Sequence, residues 1–95
     1  MPTYMSAIVA VKNPEKLKEY ISQVPATMAP FGAQLVCRGK VQTVLNGEGK
    51  HQIEAIFEFE SAEKIKAWYQ SDAYQALIPT RDEGANMTIS ILDGF

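Results

Sequence analysis

Two charged residues, Arg38 and Glu58, lie within apolar stretches of the sequence, where a charged group needs a partner. A half-buried arginine pairs with a carboxylate or faces a ligand anion. Arg38 is therefore either an anion clamp or the ion-pair partner of Glu54 or Glu58 across a hairpin. Glu58 stands between two phenylalanines, and a carboxylate held on a covered face could act as a general base. The alternative is that Glu58 faces solvent or pairs with an arginine.

Aromatic residues recur at helical spacing in two regions of the chain. Tyr20 belongs to the apolar stripe of a predicted first helix, and Trp68, Tyr69 and Tyr74 cluster in the second helical region. Such rings form a hydrophobic core or the wall of a pocket, where a phenol hydroxyl can fix a polar substrate group. We therefore treat Tyr20, Trp68 and Tyr74 as candidate ligand-binding residues, with the core as the alternative.

A second arginine, Arg81, follows Thr80 at a predicted helix start. Because the helix dipole does not favour a cation at that end, Arg81 either binds an anion or pairs with Asp82, Glu83 or the chain end. We predict no metal site, since a zinc site needs three or four ligands and His51 is the only histidine. We expect His51 to be exposed at a hairpin tip.

The elements that position these residues follow a β-α-β-β-α-β order. Asn13 and Pro14 open the first helix, which Pro25 should kink or restart, and Ser61 and Ser71 cap the helices after the third strand. We expect a tight glycine-rich turn at residues 46–49, and Pro79 should end the last helical stretch before a new start at Thr80. The predicted strands span residues 3–12, 33–45, 52–60 and 86–92.

The first predicted strand is apolar on both faces. Tyr4, Ile8 and Ala10 alternate with a second apolar set, so both faces of this strand should be covered. In a ferredoxin-like unit both helices lie on one face of an antiparallel sheet. We therefore expect a second copy of the chain to cover the other face, giving a homodimer with two sheets packed face to face.

Composition bounds the class of protein. A chain of 95 residues has the length of one domain, which we expect over residues 1–95. Its 9 basic and 11 acidic side chains leave no basic excess, so we expect no nucleic-acid partner. Because Cys37 is the single cysteine, no internal disulfide can form, and we expect the protein in the reducing cytoplasm. We expect Cys37 itself to be a small buried hydrophobic residue. We see neither a signal peptide nor an apolar stretch of membrane-spanning length, and we expect no cofactor.

Several segments together resemble the dimeric α+β barrel superfamily and, within it, the domain-of-unknown-function family 1330. The most specific is the run over residues 67–77, Ala-Trp-Tyr-Gln-Ser-Asp-Ala-Tyr-Gln-Ala-Leu, with Arg81 after it. The others are Asn13-Pro14-Glu15, Phe31-Gly32-Ala33, Arg38-Gly39 and Phe57-Glu58-Phe59. The resemblance implies a ferredoxin-like fold and a homodimer. Proteins of this superfamily include cofactor-independent monooxygenases, lactone isomerases and haem proteins.

Three functions are compatible with these observations. The first is binding of a small anionic or polar-aromatic molecule in a pocket between helices and sheet, with Tyr20, Arg38, Trp68, Tyr74 and Arg81 as the ligand-binding residues. The second is a cofactor-independent isomerase or monooxygenase in which Glu58 is the base. The third is an interaction module without a pocket.

Overall fold

Strands and helices alternate along residues 2–95, the part of the chain that the computed structural model describes. The strands are β1 (Thr3–Val11), β2 (Gln34–Lys40), β3 (Ile53–Phe59) and β4 (Ala85–Asp93). Between β1 and β2 lie helix α1 (Pro14–Met28) and a short 3₁₀ turn (Ala29–Phe31). Between β3 and β4 lie α2 (Ala62–Gln70), α3 (Asp72–Gln75) and α4 (Ile78–Gly84).

The four strands form one sheet in the order β2-β3-β1-β4, and all neighbouring strands are antiparallel. This arrangement confirms the predicted ferredoxin-like β-α-β-β-α-β fold. The helices pack on one face, where Met5, Ala7 and Val9 of β1 are buried against Leu17 and Tyr20 of α1. We call the other side of the sheet the open face. It presents Tyr4, Ser6, Ile8 and Ala10 of β1, together with Glu54, Ile56 and Glu58 of β3.

Side-chain caps fix where the helices begin. The Asn13 side chain accepts hydrogen bonds from the amides of Glu15 and Lys16, at 3.1 and 3.2 Å, and Pro14 occupies the first turn of α1. The Ser61 and Ser71 hydroxyls cap α2 and α3 as predicted. Helix α1 continues past Pro25 to Met28, so Pro25 does not divide it into two helices.

The predicted long hairpin is wrong beyond Lys40. Residues 41–52 form a loop, closed by a hydrogen bond of 2.7 Å from the Val41 amide to the Gln52 carbonyl oxygen. The Gln52 amide donates to the Val9 carbonyl, and the Gln52 side chain accepts from the Val11 amide at 2.7 Å. The ladder between β2 and β3 ends at the Lys40–Ile53 pair, so the hairpin is shorter than predicted.

The last helical stretch also differs from the prediction. Helix α4 begins at Ile78, and Pro79 lies in its first turn. Backbone N–H groups in a first turn have no partner within the helix, so a proline costs no hydrogen bond there. Pro79 therefore does not end a helix. Thr80 lies inside α4 and does not cap it. Arg81 consequently lies in the last turn, where the helix dipole favours a cation. The unfavourable placement that the sequence suggested for Arg81 does not occur.

A β-bulge interrupts β2. Leu35 pairs with Phe57 and Cys37 with Ile56, so Val36 is the extra residue. After this bulge Arg38 pairs with Ala55 and points to the helix-covered face, while Cys37 points to the open face. Cys37 is exposed, so the expectation that it is a small buried hydrophobe is wrong.

Candidate functional site

Arg38 lies on the helix-covered face of the edge strand β2, and its side chain is exposed. It forms no ion pair with a carboxylate within residues 2–95. Glu54 and Glu58, its two predicted partners, lie on the open face. The Glu54 carboxylate accepts a hydrogen bond from His51 Nε2 at 2.7 Å. The salt-bridge alternative for Arg38 is therefore wrong.

A cavity of about 80 Å³ lies between α1 and the helix-covered face of the sheet, with Arg38 in its lining. We call it the Arg38 cavity. Its polar side chains are those of Tyr20, Arg38 and Trp68, and the rest of its wall is apolar. The other residues in the wall are Met5, Ala7, Val9, Ile21, Val24, Pro25, Met28, Ile53, Ala55, Phe57, Met87 and Ile89.

Three tyrosines and one arginine form a hydrogen-bonded chain beside this cavity. The hydroxyls of Tyr20 and Tyr74 are 2.8 Å apart. Arg81 Nη1 donates to the Tyr74 hydroxyl at 3.1 Å and to the Tyr69 hydroxyl at 3.0 Å, and Arg81 Nε donates to Asp82 Oδ1 at 3.1 Å. The chain therefore joins α1, α2, α3 and α4 through polar groups that would be costly to bury unpaired.

Electrostatics keep Tyr20 and Arg81 of this chain protonated. Burial, followed by the neighbouring Tyr74, raises the pKa of Tyr20 far above its ordinary value. For Arg81, burial by itself would lower the pKa, but the hydrogen bonds to Tyr69 and Tyr74 outweigh it and the pKa is raised. At neutral pH Tyr20 is consequently a neutral phenol and Arg81 a cation, so neither can accept a proton from a substrate.

Trp68 and Tyr74 are fully buried. Their ring centroids are 4.3 Å apart, and the Trp68 indole Nε1 donates to Thr27 Oγ1 at 3.0 Å. Trp68 still forms part of the cavity wall, whereas Tyr74 reaches the cavity only through the hydroxyl of Tyr20. Both rings therefore belong to the hydrophobic core, as the alternative interpretation had it.

Glu58 is not part of this site. It pairs with Tyr4 and Gln34 on the open face and is exposed, so the sheet separates its carboxylate from the Arg38 cavity. Glu58 therefore has the exposed position that was the alternative to a general base. The two phenylalanines that flank it point to the helix-covered face because side chains alternate along a strand.

The structure divides the predicted ligand-binding residues into two groups. Arg38, Tyr20 and Trp68 meet at the Arg38 cavity, while Arg81 lines a different groove beside the edge strand β4. Tyr69 and Thr27 were not among the predicted ligand-binding residues, although they hold Arg81 and Trp68 in place. The sequence signal that could have identified Tyr69 is its position within residues 67–77, the most specific segment of the family resemblance. No such signal marked Thr27.

Within residues 2–95 no helix has the length and apolar character that crossing a bilayer requires. The same residues bring no three metal-binding side chains together. His51 is half-buried, and its ring nitrogen contacts the Glu54 carboxylate.

Solved structures share this fold over almost the whole chain. A protein of unknown function from Rhodopseudomonas palustris superposes with a TM-score of 0.82 at 16% identity, covering 99% of this chain and 82% of the other. A dimeric ferredoxin-like protein of unknown function from Jannaschia sp. CCS1 gives a TM-score of 0.77 at 7% identity, over 99% and 100% of the chains. SnoaB, a cofactor-independent oxygenase from Streptomyces nogalater, gives 0.73 at 6% identity, over 99% and 93%.

These identities establish a common fold and nothing narrower. No functionally curated protein matches the chain. The profile of the domain of unknown function family DUF1330 matches residues 2–95, in agreement with the resemblance carried by residues 67–77 and Arg81. The chain therefore belongs to the DUF1330 family.

Proposed function

We propose that this protein is a homodimer that binds a small anionic or polar-aromatic molecule in the Arg38 cavity of each chain. One observation carries the proposal. Arg38 forms no ion pair with a carboxylate within residues 2–95, and it is one of the residues that line a mostly apolar cavity. A guanidinium in such a position recognises carboxylates by paired, charge-assisted hydrogen bonds.

The shape of the cavity limits the ligand. Its volume of about 80 Å³ corresponds to roughly two or three water molecules. Its wall is apolar apart from three side chains, and a whole benzene ring needs an apolar cavity of about 150 Å³, so the buried part of the ligand should be apolar and smaller than one ring, such as the edge of a ring. The charged group should remain at Arg38, which is exposed. An aromatic carboxylate of the benzoate type combines these properties.

Binding is favoured over proton-transfer catalysis. Neither a carboxylate nor a histidine lines the cavity within the described part of the chain, and Tyr20 keeps its proton. The alternative function is a cofactor-independent oxygenase reaction, the activity of SnoaB. In such a reaction the substrate itself would supply the electrons that reduce oxygen. With Glu58 on the opposite face, an isomerase mechanism that needs a base has no candidate in this cavity.

The homodimer is supported by apolar groups that one chain leaves exposed. On the open face Ile8 is 36% and Leu92 44% exposed, and on the edge strand β2 Leu35 and Val36 are 50% and 54% exposed. Exposed apolar side chains on a sheet face and edge mark an interaction surface. The Jannaschia protein of the same fold is dimeric. We also propose a reducing location such as the cytoplasm, because the only cysteine is unpaired.

Calorimetric titration with benzoate tests the ligand proposal. We expect saturable binding by the wild-type protein and a loss of about tenfold or more in affinity for Arg38→Gln, because the charge-assisted pair is removed. Lys40→Gln is the matched control, since it removes a cation from the same face of the same strand. Equal affinities for the wild-type protein and Arg38→Gln would overturn the proposal, as would equal binding of neutral benzamide.

A further inference from the structure

A second concave site lies on the β4 side of the helix layer. It is a groove of about 490 Å³ between α2 and β4, and we call it the Arg81 groove. Its volume falls within the range of about 300–1,000 Å³ that is usual for small-molecule sites. Most of its lining is apolar or aromatic, and its two cations are Lys66 and Arg81. The remaining lining residues are Ile65, Trp68, Tyr69, Met87, Thr88, Ile89 and Ile91.

Arg81 keeps unused hydrogen-bond donors at this groove. A guanidinium has five N–H donors, of which the single one on Nε binds Asp82 and the two on Nη1 bind Tyr69 and Tyr74. Both donors on Nη2 form no hydrogen bond within residues 2–95. Because Arg81 has only 14% of its side chain exposed and lines the groove, the groove is where a ligand can reach Nη2.

The guanidinium is also held rigidly before any ligand arrives. Two phenol oxygens fix Nη1, and the guanidinium carbon lies 5.9 Å from the centroid of the Tyr69 ring. A cation fixed in this way loses little conformational freedom when it binds an anion.

The positive charge of Arg81 is only partly compensated. Tyr69 and Tyr74 are hydrogen-bond acceptors without formal charge, and the one carboxylate in contact, Asp82, has 63% of its side chain exposed to solvent. An ion pair with an exposed partner is screened by water. The groove therefore retains a net attraction for anions, to which Lys66 adds.

We propose that the Arg81 groove is a second ligand site, which binds an aromatic carboxylate larger than the Arg38 cavity admits. The carboxylate accepts hydrogen bonds from Arg81 Nη2, and the ring system lies between Tyr69 and the apolar side chains of Met87, Ile89 and Ile91. This site does not depend on the proposed function of the Arg38 cavity. Met87, Ile89 and Ile91 lie on the helix-covered side of β4, opposite the face that the proposed homodimer would cover.

Amide NMR spectra of the full-length protein, titrated with naphthoate, test this proposal. We expect the largest shifts in α2, α4 and β4, and a loss of about tenfold or more in affinity for Arg81→Gln. Because Arg81→Gln also loosens Tyr69 and Tyr74, Ile91→Glu provides an independent variant that places a repelling carboxylate at the rim. Val44→Glu is its matched control, since Val44 is an aliphatic residue of similar exposure in the loop over residues 41–52 and does not line the groove.

The outcomes separate the two sites. Weakened binding by Arg81→Gln and Ile91→Glu, with Val44→Glu and Arg38→Gln unchanged, supports the Arg81 groove. Shifts confined to α1, β2 and β3 that disappear in Arg38→Gln would overturn this inference while supporting the Arg38 cavity. Equal binding of neutral naphthamide, or no binding at all, would also overturn it, and neither result bears on the benzoate test of the cavity.

Discussion

At the scale of residues, the Tyr20 hydroxyl makes the stability of the folded protein depend on pH. Burial raises the pKa of Tyr20, so the folded protein holds this proton more tightly than the unfolded chain, in which tyrosine titrates near pH 10. The stability that this proton contributes is complete below about pH 10 and is lost as the pH rises further.

Replacing Tyr20 by phenylalanine should therefore flatten the alkaline loss of stability. For one proton the slope of the unfolding free energy changes by up to about 1.4 kcal/mol per pH unit. Urea unfolding followed from about pH 8 to about pH 11 measures this slope. An unchanged slope in Tyr20→Phe would show that Tyr20 is not the group responsible.

Residue types that could bind an anion were recognisable from the sequence, but their positions were not. A regular alternation from Leu35 would place Cys37 on the helix-covered face and Arg38 on the open face. The bulge at Val36 reverses both. A bulge is fixed by pairing with a neighbouring strand, which leaves no simple signal in the sequence of one strand.

At the scale of elements, α4 and α1 make an unusually close contact at Gly84. The Gly84 carbonyl oxygen accepts hydrogen bonds from the amides of Lys12 and Asn13, at 2.8 and 3.0 Å. A Cβ atom at Gly84 would lie 2.6 Å from the Leu17 amide nitrogen and 2.8 Å from the Leu17 Cα. These are backbone atoms, which cannot move aside as a side chain can.

Gly84→Ala should consequently destabilise the protein by about 3 kcal/mol, the upper part of the usual range for overpacking. Gly39→Ala is the matched control, because a Cβ at Gly39 meets nothing within 4 Å. Thermal or urea unfolding of both variants compares the two sites. Equal stabilities would mean that α4 can shift away from α1 at little cost.

The element order was predictable because its signals are local. Asn13, Ser61 and Ser71 accept backbone hydrogen bonds at the helix starts where the sequence indicated them. The two errors concern the loop over residues 41–52 and the start of α4. The turn residues 46–49 indicated where the chain reverses but not that the β2–β3 ladder ends at the Lys40–Ile53 pair, and no cap signal marks the start of α4 at Ile78.

At the scale of the whole molecule, the chain is a slab of 33 × 32 × 15 Å. This thickness accommodates one layer of helices and one sheet, so within residues 2–95 no second layer covers the open face. The two-sided apolar pattern of β1 indicated this from the sequence, and the structure places Tyr4, Ile8 and Ala10 on that face. Neither pattern nor fold specifies the ligand, since one fold hosts many functions.

Ile8→Lys should dissociate the proposed homodimer, because it places a charge in the middle of the open face on a central strand. Light scattering at micromolar protein concentration measures the mass in solution. Ile91→Lys is the matched control, since Ile91 is 39% exposed on the helix-covered side. A wild-type mass equal to one chain would contradict the proposed dimer, and a dimeric Ile8→Lys would place its interface elsewhere.

Native mass spectrometry of gently purified protein tests the central claim most directly, because it reports subunit number and retained small molecules together. We predict two chains carrying a small anion whose added mass is lost in Arg38→Gln and kept in Lys40→Gln. A monomer, or a dimer whose added mass is the same in Arg38→Gln as in the wild-type protein, would contradict the account.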